Sequence, residues 1–201
     1  MSQLHFFEEQ EGLSFPGQLI DYYPRFLEED RAAALLGELQ RDTPWQQQVV
    51  KMYGKTIPSP RLTAWYGDPG SHYTFSGTRF TPLPWTATLA KLRQMIGAST
   101  GLPFNSVLLN YYRDGNDSVA WHSDNERELG DKPHIASVSL GQERRFDFRS
   151  RQDHHNKHSL LLGNGSLLLM KGDLQQHWEH RIAKSARPMA ARINLTFRMI
   201  H

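Results

Sequence analysis

From Arg192 to Met199 polar and apolar residues alternate without a break: Arg192, Asn194, Thr196 and Arg198 fall on one side, Ile193, Leu195, Phe197 and Met199 on the other. Successive side chains of a strand point to opposite faces, so this spacing predicts a strand with one polar and one apolar face. Shorter strand-like runs lie upstream, at 107–112, 119–122, 135–140, 145–149, 158–162 and 166–170. Turn signals separate them at Asp114-Gly115-Asn116, Gly130-Asp131-Lys132-Pro133, Gly141 and Gly163-Asn164-Gly165. Many short strands with no helices between them predict a sandwich or jelly roll.

The first half reads differently. Ala32, Leu35, Leu36 and Leu39 recur at helical spacing within 28–40, with acidic residues near the start. A second helical pattern, 86–96, follows Pro82 and Pro84 and ends near Gly97 and Gly101. Between them, 44–81 mixes Tyr53, Trp65, Tyr66, Tyr73 and Phe75 with glycines, prolines and hydroxyls, which favours strands and loops. The expected fold is α+β, a double-stranded β-helix (jelly roll) core with flanking N-terminal helices. Residues 1–105 form the N-terminal extension and helices, and 106–201 form the core, in one continuous structural domain.

Composition narrows the class. The chain has 201 residues, 38% of them hydrophobic, enough for one well-packed domain. Charged residues make up 22%, which argues against a disordered tail. A net charge of +2 permits a polyanionic partner without requiring one. The absence of cysteine excludes disulfides, thiolate zinc sites and cysteine nucleophiles. The N-terminus turns acidic at Glu8-Glu9 with no basic n-region, and no apolar run approaches the ~20 residues that span a bilayer. The expectation is a monomer without membrane association, in the cytoplasm, or in the nucleus of a eukaryotic cell.

His122 and Asp124 sit two apart on a predicted strand and so face the same way. Such a pair is common and weak alone. Downstream, His177-Trp178-Glu179-His180 offers a third ligand far away in sequence, His180 lying 56 residues after Asp124. Two histidines and one carboxylate are the donors of the non-haem iron(II) facial triad, which leaves open positions for a bidentate ligand and dioxygen. Zinc competes for such donors but has no need of an anion cradle. Arg192, Asn194, Thr196 and Arg198 supply one, two arginines being suited to the two ends of a dicarboxylate. A solvent-exposed strand face is the bland account of the same alternation. Asn110 and Tyr112 would add an amide and a phenol from another strand.

At these residues the chain resembles the AlkB family of iron(II)/2-oxoglutarate dioxygenases, over roughly residues 50 to 200. The resemblance rests on Asn110-x-Tyr112, His122-x-Asp124, His180 and Arg192-x-Asn194-x-Thr196-x-Arg198, in the family's order. Pro60-Arg61-Leu62-Thr63-Ala64-Trp65-Tyr66-Gly67, Tyr73-Thr74-Phe75-Ser76-Gly77 and Ile135-Ala136-Ser137-Val138-Ser139-Leu140-Gly141 point to its nucleic-acid repair branch. It implies that His122, Asp124 and His180 bind iron, with His177 a decoy. Asn110, Tyr112, Arg192, Asn194, Thr196 and Arg198 would then hold 2-oxoglutarate, and dioxygen is the other co-substrate.

The implied activity is oxidative demethylation of 1-methyladenine- and 3-methylcytosine-type bases in DNA or RNA, releasing formaldehyde, succinate and carbon dioxide. Part of the N-terminal region would form a nucleotide-recognition lid. Phe75 and His122 would sandwich the base and Tyr73 and Glu126 would read its edge. Tyr53 would fill the place of a flipped base, and Arg61 would assist near base or backbone. Arg144, Arg145, Arg149, Arg151 and Lys157 are candidates for phosphate contact. Other readings are an oxygenase of RNA modifications or protein, a non-catalytic nucleic-acid binder, and a zinc-dependent cupin-like enzyme.

Overall fold

The computed structural model describes residues 17–52, 55–71, 73–75 and 78–201. In chain order its elements are β1 (Ile20–Tyr23), α1 (Glu29–Asp42), β2 (Val49–Met52), β3 (Lys55–Pro58), β4 (Leu62–Gly67), β5 (Tyr73–Phe75), β6 (Thr78–Phe80) and α2 (Ala87–Thr100). There follow β7 (Ser106–Tyr112), β8 (Val119–His122), β9 (Ile135–Gly141), β10 (Arg144–Ser150), β11 (Lys157–Leu162), β12 (Ser166–Met170), α3 (Leu174–His177), β13 (Trp178–Ile182) and β14 (Arg192–Arg198).

A six-stranded sheet runs β1-β12-β9-β14-β7-β4, and a four-stranded sheet runs β11-β10-β13-β8. Every pairing within them is antiparallel. Two small hairpins, β2-β3 and β5-β6, stand apart. This is the expected jelly roll, with α1 and α2 against the outer face of the larger sheet. Its first and last ordered strands come from the first half of the chain, since β1 pairs with β12 and β4 with β7. No described helix is long and apolar enough to cross a membrane.

The helices form where the periodicity predicts them. Ala32, Leu35 and Leu39 of α1 are buried, and Glu29 and Asp30 lie in its first turn, where the helix dipole favours negative charge. Thr86 caps α2, its hydroxyl accepting from the Leu89 amide at 3.2 Å, and Gly101 ends it in the left-handed conformation at φ 72°. Two strands carry less sequence signal. β1 is only four residues long. β13 is preceded directly by the single-turn helix α3.

The larger sheet separates two apolar clusters. Val107, Leu109, Ala136, Val138, Leu140, Leu167, Leu169, Ile193, Leu195 and Phe197 pack with the helices. Tyr112, Ile135, Phe146, Phe148, Leu160, Leu162, Leu168, Met170, Trp178 and Ile182 fill the space between the sheets. β14 lies between β7 and β9, and its Ile193, Leu195 and Phe197 are fully buried beneath the helices. Its polar residues therefore project between the sheets, which positions the site.

Candidate active site

Register assembles the polar wall. Arg192 pairs with Tyr112 and Gly141, Asn194 with Asn110 and Ser139, and Thr196 with Leu108 and Ser137. Side chains directly across a sheet share a face, so Asn110 and Tyr112 on one side and Ser137 and Ser139 on the other join the β14 residues. All are buried. The bland account of an exposed strand face is therefore set aside. Asn194 donates to the Ser137 hydroxyl at 2.7 Å and the Val138 carbonyl at 3.1 Å, and the Thr196 hydroxyl donates to Asn194 Oδ1 at 2.9 Å. Ser137 and Ser139 were legible as an alternating pair within Ile135-Ala136-Ser137-Val138-Ser139-Leu140, though only the register shows that they face β14.

Arg192 is the charged end of this wall. It is 1% exposed, donates to the Ser139 hydroxyl at 3.0 Å and lies over the Tyr112 ring. Its Nε and Nη1 are buried and find no hydrogen-bond acceptor among the described residues. Burial pushes its pKa down to about 10, with Arg144 adding to the fall and Tyr112 opposing it, so it remains a cation at neutral pH. A buried guanidinium with free donors is costly unless an anion completes it.

At the other end, Arg198 contacts the candidate metal ligands. Its Nη2 lies 2.9 Å from Asp124 Oδ2. The two arginines stand six residues apart on one strand, roughly 20 Å between Cα atoms at ~3.3 Å per residue. Long side chains reaching inward from both ends leave a span suited to a short dianion.

His122 and His180 pair across β8 and β13, and their rings meet edge to face at 4.3 Å. Asp124 follows His122 at the end of β8. Ligand atoms of His122, Asp124 and His180 all lie within 4.8 Å of one another. The Nδ1 of His122 is 2.8 Å from the Ala120 carbonyl, which can only accept, so this nitrogen carries the proton and Nε2 is left to bind a metal. Burial pushes His180 down to about 3, helped by His122 and Arg198 and opposed by Asp124. Burial alone would raise the Asp124 carboxyl, but Arg198, His180 and His122 hold it well below the usual carboxylate range. The trio thus offers a neutral His180 imidazole, the Asp124 carboxylate and the free Nε2 of His122, a donor set that fits a divalent cation with open positions.

His177 is exposed at the end of α3, outside this group, 3.9 Å from the Asp173 carboxylate. Gln175 has a place that sequence reasoning missed. It is 1% exposed, and its Oε1 accepts from the Asp124 amide at 3.0 Å. It therefore ties the segment before His180 to that of Asp124. No local sequence signal marks it.

Among the candidate substrate residues, Arg61 is half-buried, donating from Nε to Asn110 Oδ1 at 2.7 Å and from Nη1 to the Ser118 carbonyl at 3.4 Å. It adjoins the cradle more closely than an open surface. Glu126 is half-buried, two residues after Asp124, at the start of a single 3-10 turn. Tyr73 and Phe75 lie in the β5–β6 hairpin, their side chains outside the description, and Tyr53 lies outside the described residues.

The candidate phosphate-contacting group needs one correction. Arg145, Arg151 and Lys157 are exposed, and Arg149 bonds Glu179 at 2.6 Å. Arg144, however, is 3% exposed and faces inward, so it is unavailable to a phosphate backbone. A basic run read along the chain does not reveal which member the strand turns inside.

Fold and site together define a jelly roll that holds a candidate metal-binding trio beside a buried polar wall. The family model of the 2OG-Fe(II) oxygenase superfamily matches residues 20–198. The chain is 40% identical over 188 residues to alpha-ketoglutarate-dependent dioxygenase alkB homolog 3 of Rattus norvegicus, covering 89% of this chain and 63% of that protein. It is 43% identical over 159 residues to DNA oxidative demethylase ALKBH2 of Bos taurus, covering 75% and 57%, and 32% identical to the Arabidopsis thaliana protein of that name, covering 92% and 67%. The solved structure of OsALKBH1 shares the fold, with a TM-score of 0.63 at 19% identity over 90% of this chain and 98% of that one. The chain therefore belongs to the 2OG-Fe(II) oxygenase superfamily, in its AlkB branch. It spans 63–65% of the length of the alkB homolog 3 proteins it matches, less than two thirds.

Proposed function

We propose that this chain is an iron(II)/2-oxoglutarate dioxygenase that removes N-alkyl groups, of the 1-methyladenine and 3-methylcytosine type, from bases in DNA or RNA. The observation that carries the reading is one continuous wall. The His122–Asp124–His180 group stands at one end, Arg198 bridges to it, and the unpaired donors of buried Arg192 stand at the other. The names of the relatives, a dioxygenase and DNA oxidative demethylases, support the substrate class.

In this reading His122, Asp124 and His180 hold iron. Arg192, Tyr112, Asn110, Asn194, Thr196 and Arg198 hold the keto acid, one carboxylate toward each arginine. Iron, when bound, supplies the activation of dioxygen that oxidises the methyl carbon as the keto acid loses carbon dioxide. Arg198 neutralises Asp124 and leaves the metal end less negative. Phe146, packed 5.1 Å from the His180 ring, helps to exclude water. The hydroxylated methyl group departs as formaldehyde. Tyr73, Phe75, Glu126, Arg61 and Tyr53 contact the flipped base or its strand, and one copy of the chain acts inside the cell.

The test is formaldehyde and succinate release from a 3-methylcytosine oligonucleotide, with and without iron(II) and 2-oxoglutarate. Both products, dependent on both additions and lost in His122→Ala and Asp124→Ala, are the expected result. Succinate without formaldehyde would leave the oxygenase and remove the substrate. Neither product, from folded and iron-loaded protein, would overturn the proposal.

A further inference from the structure

Arg144 is a buried guanidinium with no part in the reading so far. Its Nη1 donates to the Asp114 carbonyl at 3.2 Å, and its Nη2 to the Asp117 carbonyl at 3.2 Å and the Ala183 carbonyl at 2.7 Å. All three partners are neutral. The nearby Asp117 carboxylate is already taken by Arg113, through Nε and Nη2 at 2.8 Å each. Arg144 and Arg192 both lie over the Tyr112 ring, at 5.9 and 5.1 Å from its centroid. Among the described residues, neither guanidinium has a carboxylate in ion-pair contact. Two buried cations thus stand beside one phenol without a direct ion pair; the Asp117 and Asp114 carboxylates offset the charge of Arg144 only at longer range, so a further anion at this end is favoured.

The place of Arg144 in the chain adds a second argument. The segment 113–118 begins directly after Tyr112, and the segment 183–191 ends directly before Arg192. Arg144 joins the two, since its carbonyl partners lie on both. They also touch elsewhere: the Ser185 amide donates to the Gly115 carbonyl at 2.8 Å, and a Cβ at Gly115 would stand 2.9 Å from the Arg187 carbonyl. So Arg144 staples the exit of β7, after Tyr112, to the entry of β14, before Arg192.

We propose that Arg144 is a positioning residue for the far carboxylate of the keto acid. It fixes the Tyr112–Arg192 end of the cradle and adds a second buried positive charge to it. Selectivity for a keto acid with two carboxylates, over one with a single carboxylate, then depends on Arg144 without direct contact. A charge across a few ångströms of low-dielectric interior acts on a second carboxylate and leaves the shared keto-acid head unaffected. The inference rests on the functional reading above.

The experiment measures binding, without turnover. Protein loaded with manganese(II) is titrated calorimetrically with 2-oxoglutarate and with 2-oxobutanoate, which lacks the far carboxylate, for wild type, Arg144→Gln and Arg144→Lys. Wild type prefers 2-oxoglutarate. In Arg144→Gln the ratio of the two affinities falls on the order of tenfold, as expected for one buried charge. In Arg144→Lys, which keeps the charge but cannot reach all three carbonyls, it falls roughly threefold. In the same variant, amide exchange across 113–118 quickens and 2-oxoglutarate slows it again.

Should Arg144→Gln fail to fold, Arg144→Lys decides on the same two readouts. Equal losses for both keto acids, leaving the ratio unchanged, would make Arg144 a purely structural residue and overturn the proposal. A wild type that binds neither compound, or shows no preference, would overturn the functional reading and this inference with it.

Discussion

The imidazole of His180 is buried, and that sets its protonation. Buried beside His122 and Arg198, its pKa falls to about 3, against about 6.5 in an unfolded chain. As pH drops below 6.5 the unfolded state takes up a proton first, so folded stability falls through this window until about pH 3. Metal-free protein should lose about 2 kcal/mol between pH 7.5 and pH 5 from this group, read as a shift in urea midpoint. Asp124, held low by Arg198, adds a loss in the same direction, but only as pH falls through the ordinary carboxylate range near 4 and below. A profile in His180→Gln as steep as in wild type would reject the assignment to His180.

Arg192 gives a prediction of opposite character. Replacing it by Met removes charge-assisted hydrogen bonds to the keto acid, so the 2-oxoglutarate KM should rise roughly ten- to a hundredfold. Apo stability should hold or rise, because a buried cation with free donors is exchanged for an apolar side chain. An unchanged KM would remove Arg192 from the cradle. Arg144 shows where reading single residues stops. In the sequence it is one more arginine beside Arg145, and only burial separates the two roles.

β14 is the element on which most depends. Its alternation was legible because its two faces meet different surroundings, helices on one side and the sheet interior on the other. Shifting its register by one residue would bury four polar side chains beneath the helices. Phe197 anchors the correct register, fully buried between Trp85 and Phe104 at centroid distances of 6.3 Å each. Phe197→Ala should cost about 3–5 kcal/mol in denaturant unfolding, leaving a cavity the neighbouring strands cannot close. A cost below 1 kcal/mol would mean that the anchor lies elsewhere. β1 and β13 were less legible because their residues become strands by pairing with β12 and with β8 and β10. β12, buried on both faces, shows Leu167-Leu168-Leu169-Met170 as one apolar run with no alternation to read.

For the molecule as a whole, two sheets and two helices bury a polar wall that is incomplete without ligands. Ligands that bind only the folded state stabilise it by RT ln(1 + [L]/Kd). Manganese(II) with 2-oxoglutarate, each near a hundred times its Kd, should therefore add about 2.7 kcal/mol per ligand to stability, seen as a concentration-dependent rise in Tm. In Arg192→Met the rise from 2-oxoglutarate should shrink to about 0.4–1.4 kcal/mol while that from manganese persists. Loss of both together would mean that the two sites are not separable as drawn.

By itself the sequence determined the two helices, the jelly-roll class, and the residues of the polar strand and the candidate metal group. Each of these is written in a local period, a cap or a two-residue spacing that physics reads without distant partners. Only the tertiary structure decided that Ser137 and Ser139 support the cradle, that Gln175 holds the Asp124 amide, and that Arg144 turns inward over Tyr112. Those contacts join residues 27 to 57 positions apart in the chain. They arise from strand register and sheet closure, which a stretch of ten residues does not encode.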